Sequence, residues 1–337
     1  MGGSTSRSGL GFDLADPDLA AAVKIGLERV EKLLRDELRS ELDFITQASL
    51  HLIDAGGKRF RPLFTLLAAQ FGGGDSDEVV RAAAVVELVH LATLYHDDVM
   101  DEATMRRGAA SANARWDNTV AILTGDYLFA NASRLVADLG PEAVRIIART
   151  FARLVTGQMQ ESLGPEPGDD PVEHYLRVVA GKTGSLIATA GRFGAMFAGL
   201  SPDRVQALSR YGELIGMAFQ ISDDVIDIAS PATESGKTPG TDLREGIRTL
   251  PMLYALADAP SGRLAELLAG PIGSGDGSGD LVDEALALLR GSAGLERARQ
   301  TVLSFAEQAR AELAVLPAAP AADALHSLTR FVVERTR

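Results

Sequence analysis

The sequence contains no cysteine, which excludes both a disulfide framework and a thiolate metal site. No apolar run reaches the roughly 20 uncharged residues that a membrane-spanning helix needs. Residues 1–16 also lack the positively charged start and apolar block of a secretory signal. We therefore expect a cytoplasmic protein without a membrane span.

Positive charge is also scarce, because 33 Lys and Arg residues stand against 46 Asp and Glu residues, a net charge of −13. Proteins that bind nucleic acids usually present a basic surface, so we expect no nucleic-acid partner. Hydrophobic residues make up 46% of the chain, which is enough for a substantial core and argues against disorder.

The alternation of apolar and polar residues that is typical of strands is absent over any useful length. Apolar residues instead recur every three or four positions, which predicts an all-α protein of roughly a dozen helices. We expect one helical domain over residues 13–337, after a disordered tail at residues 1–12. Predicted helices span residues 19–42, 62–71, 79–102, 110–139, 142–163, 172–200 and 203–228. Predicted breaks lie at residues 164–171, 230–246, 270–279 and 316–322.

Two segments share the pattern Asp-Asp-x-x-Asp. Their acids are Asp97, Asp98 and Asp101 in the first cluster and Asp223, Asp224 and Asp227 in the second. Acids four residues apart on a helix lie on one face and repel each other, and a helix C-terminus disfavours them further. The pattern therefore predicts bound cations, and hard oxygen ligands favour magnesium or manganese over zinc. A solvated acidic face is the alternative, but each cluster follows a long apolar stretch, which favours a site.

Several short cationic segments could bind an anion near these acids. Lys58, Arg59 and Arg61 lie beside a glycine pair, just before a predicted helix start that would attract anions. The others are Arg106 with Arg107, Lys182 with Thr183, and Lys237 with Thr238. Each alone would be an ordinary surface patch, but together they complement metal-bound diphosphates.

These motifs, in this order over residues 56–251, resemble the trans-isoprenyl diphosphate synthases of the polyprenyl synthetase family, in particular the bacterial long-chain members. The resemblance rests on Gly-Gly-Lys-Arg-x-Arg-Pro at 56–62, both aspartate clusters, Gly-Lys-Thr at 181–183, Gly-Lys-x-x-Gly-x-Asp-Leu at 236–243 and Thr-Leu-Pro at 249–251. It implies the isoprenoid synthase fold around a central cavity and a homodimer. It also implies Mg²⁺-dependent condensation of isopentenyl diphosphate with an allylic diphosphate, with Mn²⁺ as an alternative cation.

The resemblance further implies roles for individual residues. The metal would be held against the allylic diphosphate by Asp97, Asp101 and Asp223, supported directly or through water by Asp98, Asp224 and Asp227. The same diphosphate would be bound by Arg106, Lys182 and Lys237. Catalysis would rest on Asp97, Asp101, Asp223, Lys182 and Arg106. Isopentenyl diphosphate would be bound by Lys58, Arg61, His90 and Arg107, and the reaction centre would be lined by Thr183 and Gln220.

The chain departs from the family pattern at Ile247, where a lysine is usual. The neighbouring Arg248 could supply that charge.

Product length in this family depends on residues just before the first aspartate cluster, where bulky aromatics stop chain growth. Here those positions are Ala92 and Thr93, with Val89 deeper on the same helix, and none of them would block a growing tail. We therefore predict a product of about 30 carbons or more by that resemblance, suited to quinone side chains. The alternative is that a larger side chain from another helix or the partner subunit closes the cavity. A C20 geranylgeranyl diphosphate synthase is the alternative function.

Other classes remain as alternatives. The pair His96-Asp97 could belong to a helical metal-dependent phosphohydrolase, although no second histidine pair accompanies it. A terpene cyclase would not be expected to have residues 56–62 or a second complete cluster. A non-catalytic partner subunit would be expected to have lost aspartates. Beyond Leu253 the sequence has no pattern that indicates chemistry.

Overall fold

The computed structural model describes residues 14–229, 239–269 and 278–336. Its contacts divide the chain into two compact units. The first comprises residues 1–152, 186–212 and 313–325, and the second comprises residues 153–185, 213–312 and 326–337. The single domain stays a prediction, and the predicted tail at residues 1–12 lies outside the described residues.

The predicted all-α class is confirmed. The helices are α1 (Pro17–Glu37), α2 (Asp43–Asp54), α3 (Phe60–Ala69), α4 (Asp77–Met100), α5 (Ala112–Arg115), α6 (Asn118–Ala137), α7 (Pro141–Leu163), α8 (Pro171–Val179), α9 (Ser185–Phe197), α10 (Pro202–Ala229), α11 (Thr241–Glu245), α12 (Leu250–Asp258), α13 (Arg263–Leu268), α14 (Ser278–Arg290), α15 (Ala293–Glu312) and α16 (Pro320–Glu334). A π-helical turn (Ala180–Gly184) joins α8 to α9, and a 3₁₀ turn (Leu313–Val315) follows α15. In the described ranges the only sheet is the antiparallel hairpin of β1 (Met105–Arg106) and β2 (Ala109–Ala110).

Several predicted boundaries were wrong. The first helix ends at Glu37 rather than residue 42, and α2 was not predicted. Helix α3 begins at Phe60, two residues before Pro62, which its first turn tolerates because those N–H groups have no helical partner. The predicted helix 110–139 is broken before Asp117, whose side chain caps α6 by accepting from the Val120 N–H at 2.8 Å.

In the first unit, α4 is a core helix that ends at the first aspartate cluster. It is long and apolar enough to cross a membrane, but 72% of its apolar window is buried within the protein. Tyr95, near its end, donates to the Ala48 carbonyl at 2.5 Å and accepts from the Leu52 N–H, which fastens α4 to α2. The end of α4 is thus held by buried contacts.

The second unit contains the second aspartate cluster, on the last turns of α10. In this unit α7 packs closely on the π-helical turn, since a Cβ on Gly157 would lie 2.7 Å from the Lys182 backbone nitrogen. Helix α12 approaches α15 in the same way at Gly294, where a Cβ would lie 2.4 Å from the Ala255 nitrogen. Glycine at these positions allows backbone contact that any larger residue would prevent.

Candidate active site

The first aspartate cluster occupies the C-terminal turn of α4. Asp97 is half-buried, Asp98 is buried, and Asp101 is exposed and follows the last residue of the helix. The backbone N–H of Asp101 donates to the Asp97 carbonyl at 2.8 Å, so these two acids lie one turn apart as predicted. The helix dipole disfavours both carboxylates here, and a cation would offset that cost.

The buried carboxylate of Asp98 is paired with an arginine. Arg106, on β1, donates from Nε to Asp98 Oδ1 at 2.6 Å. Burial raises the pKa of Asp98, and the hydrogen bond from Arg106 opposes that rise. The second oxygen, Oδ2, is buried and has no hydrogen-bond partner in the described part of the chain. Arg106, predicted to bind a diphosphate, is therefore also the counterion of the middle aspartate.

Among the cations at residues 58–62, Arg59 is held by contacts within the protein, whereas Lys58 is exposed to solvent. Arg59 has a left-handed backbone (φ 49°) and donates to Glu31 at 3.0 Å, to the buried Glu87 at 3.4 Å and to two carbonyls at the end of α2. It is a structural cation. Lys58, by contrast, is exposed.

Arg107 contacts the same turn as Arg59. It donates to the carbonyls of Leu52, at 2.8 Å, and Gly56. A Cβ on Gly57 would lie 2.7 Å from the Arg107 guanidinium carbon, and the φ of Gly57 is +136°. Gly57 therefore makes room for the guanidinium groups of Arg107 and Arg59 as well as for the turn.

Arg61 and His90 lie in this positive environment. Burial lowers the pKa of Arg61 to about 10, so it stays charged at neutral pH, and its buried Nε has no partner among the described residues. Burial, followed by the charges of Arg61 and Arg107, holds the pKa of His90 well below its usual value. The structure thus brings together Arg61, His90 and Arg107, an arrangement that suits an anion.

His90 should make the protein less stable in mild acid. Because its pKa is lowered in the folded state, only the unfolded chain takes up a proton as the pH falls through about 6.5. The free energy of unfolding should then fall by up to about 1.4 kcal/mol per pH unit below that value. We expect a smaller fall between pH 6.5 and 5.5 for His90→Asn than for the parent, measured by urea denaturation. Equal falls would contradict a neutral buried His90.

The second aspartate cluster has an unexpected partner in the C-terminal segment. Arg335, just after α16, donates from Nη2 to Asp223 Oδ1 and lies 4.4 Å from the centre of the Phe219 ring. The Asp223 side chain remains 44% exposed, so it is still accessible. The segment beyond Leu253, in which the sequence has no pattern that indicates chemistry, thus contacts this cluster.

Asp224 is buried among uncharged donors. Tyr175 on α8 donates to Oδ2, and Gln220 donates to Oδ1 at 3.2 Å. Burial is the main cause that raises the pKa of Asp224 to about 8, and the nearby Asp242 raises it further while Tyr175 lowers it. Burial and the charge of Asp224 also raise the pKa of Tyr175 well above its usual value.

The Asp227 side chain accepts hydrogen bonds from the backbone at the start of α11. Its two carboxylate oxygens accept from the backbone N–H groups of Thr241 at 3.1 Å and Asp242 at 3.2 Å, at the start of α11. Its carbonyl accepts from Gly240, whose φ is +74°. Asp227 therefore fixes the motif that contains Asp242, besides any support it gives to a metal.

Lys182 and Thr183 lie in the π-helical turn, a feature often found at functional sites. Lys182 pairs with Glu161 on α7 at 2.5 Å, and Thr183 donates to Gln220 Oε1 at 3.4 Å. Arg248 donates to the Leu268 carbonyl at 3.3 Å, so it has a structural partner. Lys237 lies outside the described residues.

The acids fit a divalent cation that is shared with a substrate. In residues 14–229, 239–269 and 278–336, no three acidic or histidine side chains converge on one point. Magnesium is commonly held by one or two carboxylates together with phosphate oxygens rather than by an all-protein cage. The accessible Asp97 and Asp101 in the first unit suit that arrangement, and so, separately, does Asp223 in the second. The buried, unpartnered oxygen of Asp98 marks further acceptor capacity in the first cluster.

Comparison with known families decides the assignment. Residues 43–288 match the family model described as polyprenyl synthetase. The chain belongs to the polyprenyl synthetase family. As such it is a prenyltransferase, which confirms the predicted enzyme class.

Its relatives in the family cover almost the whole chain. It is 57% identical to the nonaprenyl diphosphate synthase of Mycobacterium tuberculosis over 96% of this chain and 97% of that protein. A geranylgeranyl pyrophosphate synthase from Corynebacterium glutamicum, solved with calcium and isoprenyl diphosphate, is 48% identical with a TM-score of 0.85 over 96% of this chain and 98% of that one. A decaprenyl diphosphate synthase from Rhodobacter capsulatus is 37% identical with a TM-score of 0.86 over 95% and 99%.

In this member of the polyprenyl synthetase family, the predicted chain-length residues lie on the buried part of α4. Val89 and Ala92 are fully buried, and Thr93 is 9% exposed. The Thr93 hydroxyl donates to the His90 carbonyl at 2.8 Å, so the hydroxyl is used within α4 and the methyl group is the remaining part of the side chain. Their role in product length stays a prediction.

The histidine of the rival phosphohydrolase motif is turned towards α6. His96 Nε2 lies 3.2 Å from the Ile122 carbonyl and 3.4 Å from Asp126. A Cβ on Gly125 would lie 2.3 Å from the same nitrogen, so the glycine provides the space for the ring. This contact accounts for His96 without a metal.

Four residues near the clusters were not assigned roles from the sequence. They are Glu161, Tyr175, Asp242 and Arg335. Only Asp242 stood within a quoted motif; the other three are separated from their partners by between 21 and 112 residues. Sequence spacing alone could not have found those three.

Proposed function

We propose that the chain is a long-chain trans-polyprenyl diphosphate synthase. It would join isopentenyl diphosphate to an allylic diphosphate, extend the product five carbons at a time, and stop at about 30 carbons or more, as the resemblance first implied. The observation that carries this proposal is the end of α4, where accessible acids follow Val89, Ala92 and Thr93, all small side chains. The similarity to a nonaprenyl diphosphate synthase supports the same product class.

The roles follow from the chemistry of the side chains. Magnesium, when held by Asp97 and Asp101 of the first cluster and by Asp223 of the second, would supply charge neutralisation to the departing diphosphate. Lys182 and Arg106 would add positive charge to that group. Arg61, His90 and Arg107, with Lys58, would bind the diphosphate of isopentenyl diphosphate, whose double bond attacks the allylic carbon.

Loss of a proton would then complete the new double bond, and a diphosphate oxygen is a suitable base. The allylic cation must be protected from water, which the apolar side chains of α4 would do. Thr183 and Gln220 form one hydrogen-bonded pair and would line the reaction centre.

The experiment that tests the proposal is a product assay. Purified protein is incubated with isopentenyl diphosphate, Mg²⁺ and primers of 10, 15 or 20 carbons, and the dephosphorylated products are separated by chromatography. Products of about 30 carbons or more support the long-chain assignment. A dominant C20 product would favour the second candidate, geranylgeranyl diphosphate synthase, which one solved relative is. No elongation under any metal condition would contradict both.

Removal of divalent cations should abolish elongation. We expect EDTA-treated protein to have no measurable activity and to regain it with Mg²⁺ or Mn²⁺, because oxygen-only donors suit these hard cations. Zn²⁺, which prefers nitrogen and sulfur donors, should restore less. EDTA saturated with Mg²⁺ is the control. Full turnover in metal-free buffer would rule out the metal requirement.

Cytoplasmic residence and a homodimer stay predictions.

A further inference from the structure

Tyr175 contacts the second aspartate cluster but has no role in the proposed reaction. It lies on α8 and is part-buried, and its hydroxyl donates to Asp224 Oδ2. Asp224 is on α10, 49 residues further along the chain. The ring therefore links two helices at the position where the acids lie.

The other oxygen of Asp224 is held in a similar way. Gln220, one turn earlier on α10, donates from Nε2 to Oδ1 at 3.2 Å. Thr183 in the π-helical turn donates to the amide oxygen of Gln220 at 3.4 Å, which orients that amide. Tyr175, Gln220 and Thr183 thus restrain Asp224, which is 5% exposed, from both sides.

The chemistry of these donors differs from that at the first cluster. Asp98 forms an ion pair with Arg106, and the positive charge of the guanidinium offsets the negative charge of the carboxylate. The donors to Asp224 in the described residues, a phenol and an amide, are uncharged. Neutral donors fix the orientation of a carboxyl group without placing a positive charge beside it that would compete with a cation.

We infer that Tyr175 is a positioning residue that orients Asp224 in the second aspartate cluster for binding a divalent cation. This inference rests on the proposed function for its catalytic consequence. Groups that hydrogen-bond to metal ligands typically affect metal affinity by about 10–100-fold. Loss of the Tyr175 hydroxyl would leave one buried oxygen of Asp224 without its donor.

The test compares Tyr175→Phe with the parent and with Tyr254→Phe. Tyr254 is a matched control because its hydroxyl also contacts one side chain in the second unit, Thr301 at 3.1 Å, with no aspartate of the cluster involved. Binding of Mn²⁺ in the presence of inorganic diphosphate is measured by electron paramagnetic resonance. The Mg²⁺ dependence of kcat and the KM for isopentenyl diphosphate are measured in parallel.

We expect Tyr175→Phe to bind Mn²⁺ at least about tenfold more weakly, as is typical for loss of such a group. Its kcat should return to within a few-fold of the parent at saturating Mg²⁺, with KM for isopentenyl diphosphate unchanged. Tyr254→Phe should match the parent in every measurement. Unchanged cation affinity in Tyr175→Phe would overturn the inference, as would a lower kcat that no Mg²⁺ concentration restores.

A second variant covers the case in which Tyr175→Phe does not fold. Gln220→Met removes the donor to the other oxygen of Asp224 and keeps the side-chain size, so it should weaken Mn²⁺ binding in the same way. Unchanged affinity there would also count against the inference. The binding titration is independent of turnover: a parent that binds Mn²⁺ but elongates nothing contradicts the proposed function alone, and the comparison of variants still decides the role of Tyr175.

Discussion

Asp97→Asn is expected to lower kcat by about 10³-fold, which corresponds to about 4 kcal/mol of transition-state stabilisation. The substitution keeps the size of the side chain and removes its charge at the accessible face of α4. Without that carboxylate, the cation that neutralises the departing diphosphate would be bound more weakly and less accurately. Steady-state assays over a range of Mg²⁺ concentrations would measure both kcat and the apparent cation affinity.

Glu102→Gln is the matched control for Asp97. Glu102 is an exposed acid one residue beyond the cluster, so its replacement removes the same charge from the same end of α4. We expect kcat to stay within about threefold of the parent, since exposed charges at this range are screened by solvent. If Asp97→Asn behaves like Glu102→Gln, Asp97 is a solvated surface acid and its assignment as a metal ligand is wrong.

The second cluster allows a comparable experiment at Asp223. We expect a loss for Asp223→Asn similar to that for Asp97→Asn, because Asp223 is also accessible and carries the equivalent charge. Its pairing with Arg335 offers a way to separate two roles. If Asp223 serves only to hold the C-terminal segment, Arg335→Gln should reduce kcat as much as Asp223→Asn does. A much smaller loss for Arg335→Gln would favour the metal role.

The helices that position the acids could be predicted because their apolar residues follow the helical period over many turns. Helix α10 was placed within one residue of its bounds at each end, and α4 within two at each end. Helix α2 was missed although Ile45, Ala48 and Leu52 follow the same spacing. It is short, and the preceding apolar stripe runs on through Leu38, so the two helices appeared as one followed by a loop.

The site residues were predictable as chemical types, but their partners were not. The spacing of the aspartates indicated which carboxylates share a helix face, and the structure agrees for Asp97 and Asp101. Spacing carries no information on whether Asp98 faces inwards to Arg106 or Asp224 to Tyr175, because those contacts depend on how separate helices pack. The same holds for Arg335, which reaches Asp223 across 112 residues.

Thr93→Phe is expected to shift the product from about 30 carbons or more to 20 or fewer. Bulky residues just before the first aspartate cluster stop chain growth in this family, as the sequence comparison implied. Thr93 precedes Asp97 by four residues, so its side chain lies about 6 Å deeper along the same face of α4. A phenyl ring there would block a tail that grows along that face while leaving the first condensation unaffected. Chromatography of the products, together with the rate of the first condensation, would measure both effects.

Thr93→Val separates tail blocking from other consequences of the change. Valine keeps the size of threonine and removes only the hydroxyl that donates to the His90 carbonyl at 2.8 Å, so the product length should stay that of the parent. A thermal unfolding curve for each variant identifies any general loss of packing, because Thr93 is only 9% exposed. If Thr93→Phe folds, carries out the first condensation and still makes the full-length product, the growing tail does not pass Thr93. Product length must then be limited by side chains outside the stretch from Val89 to Thr93.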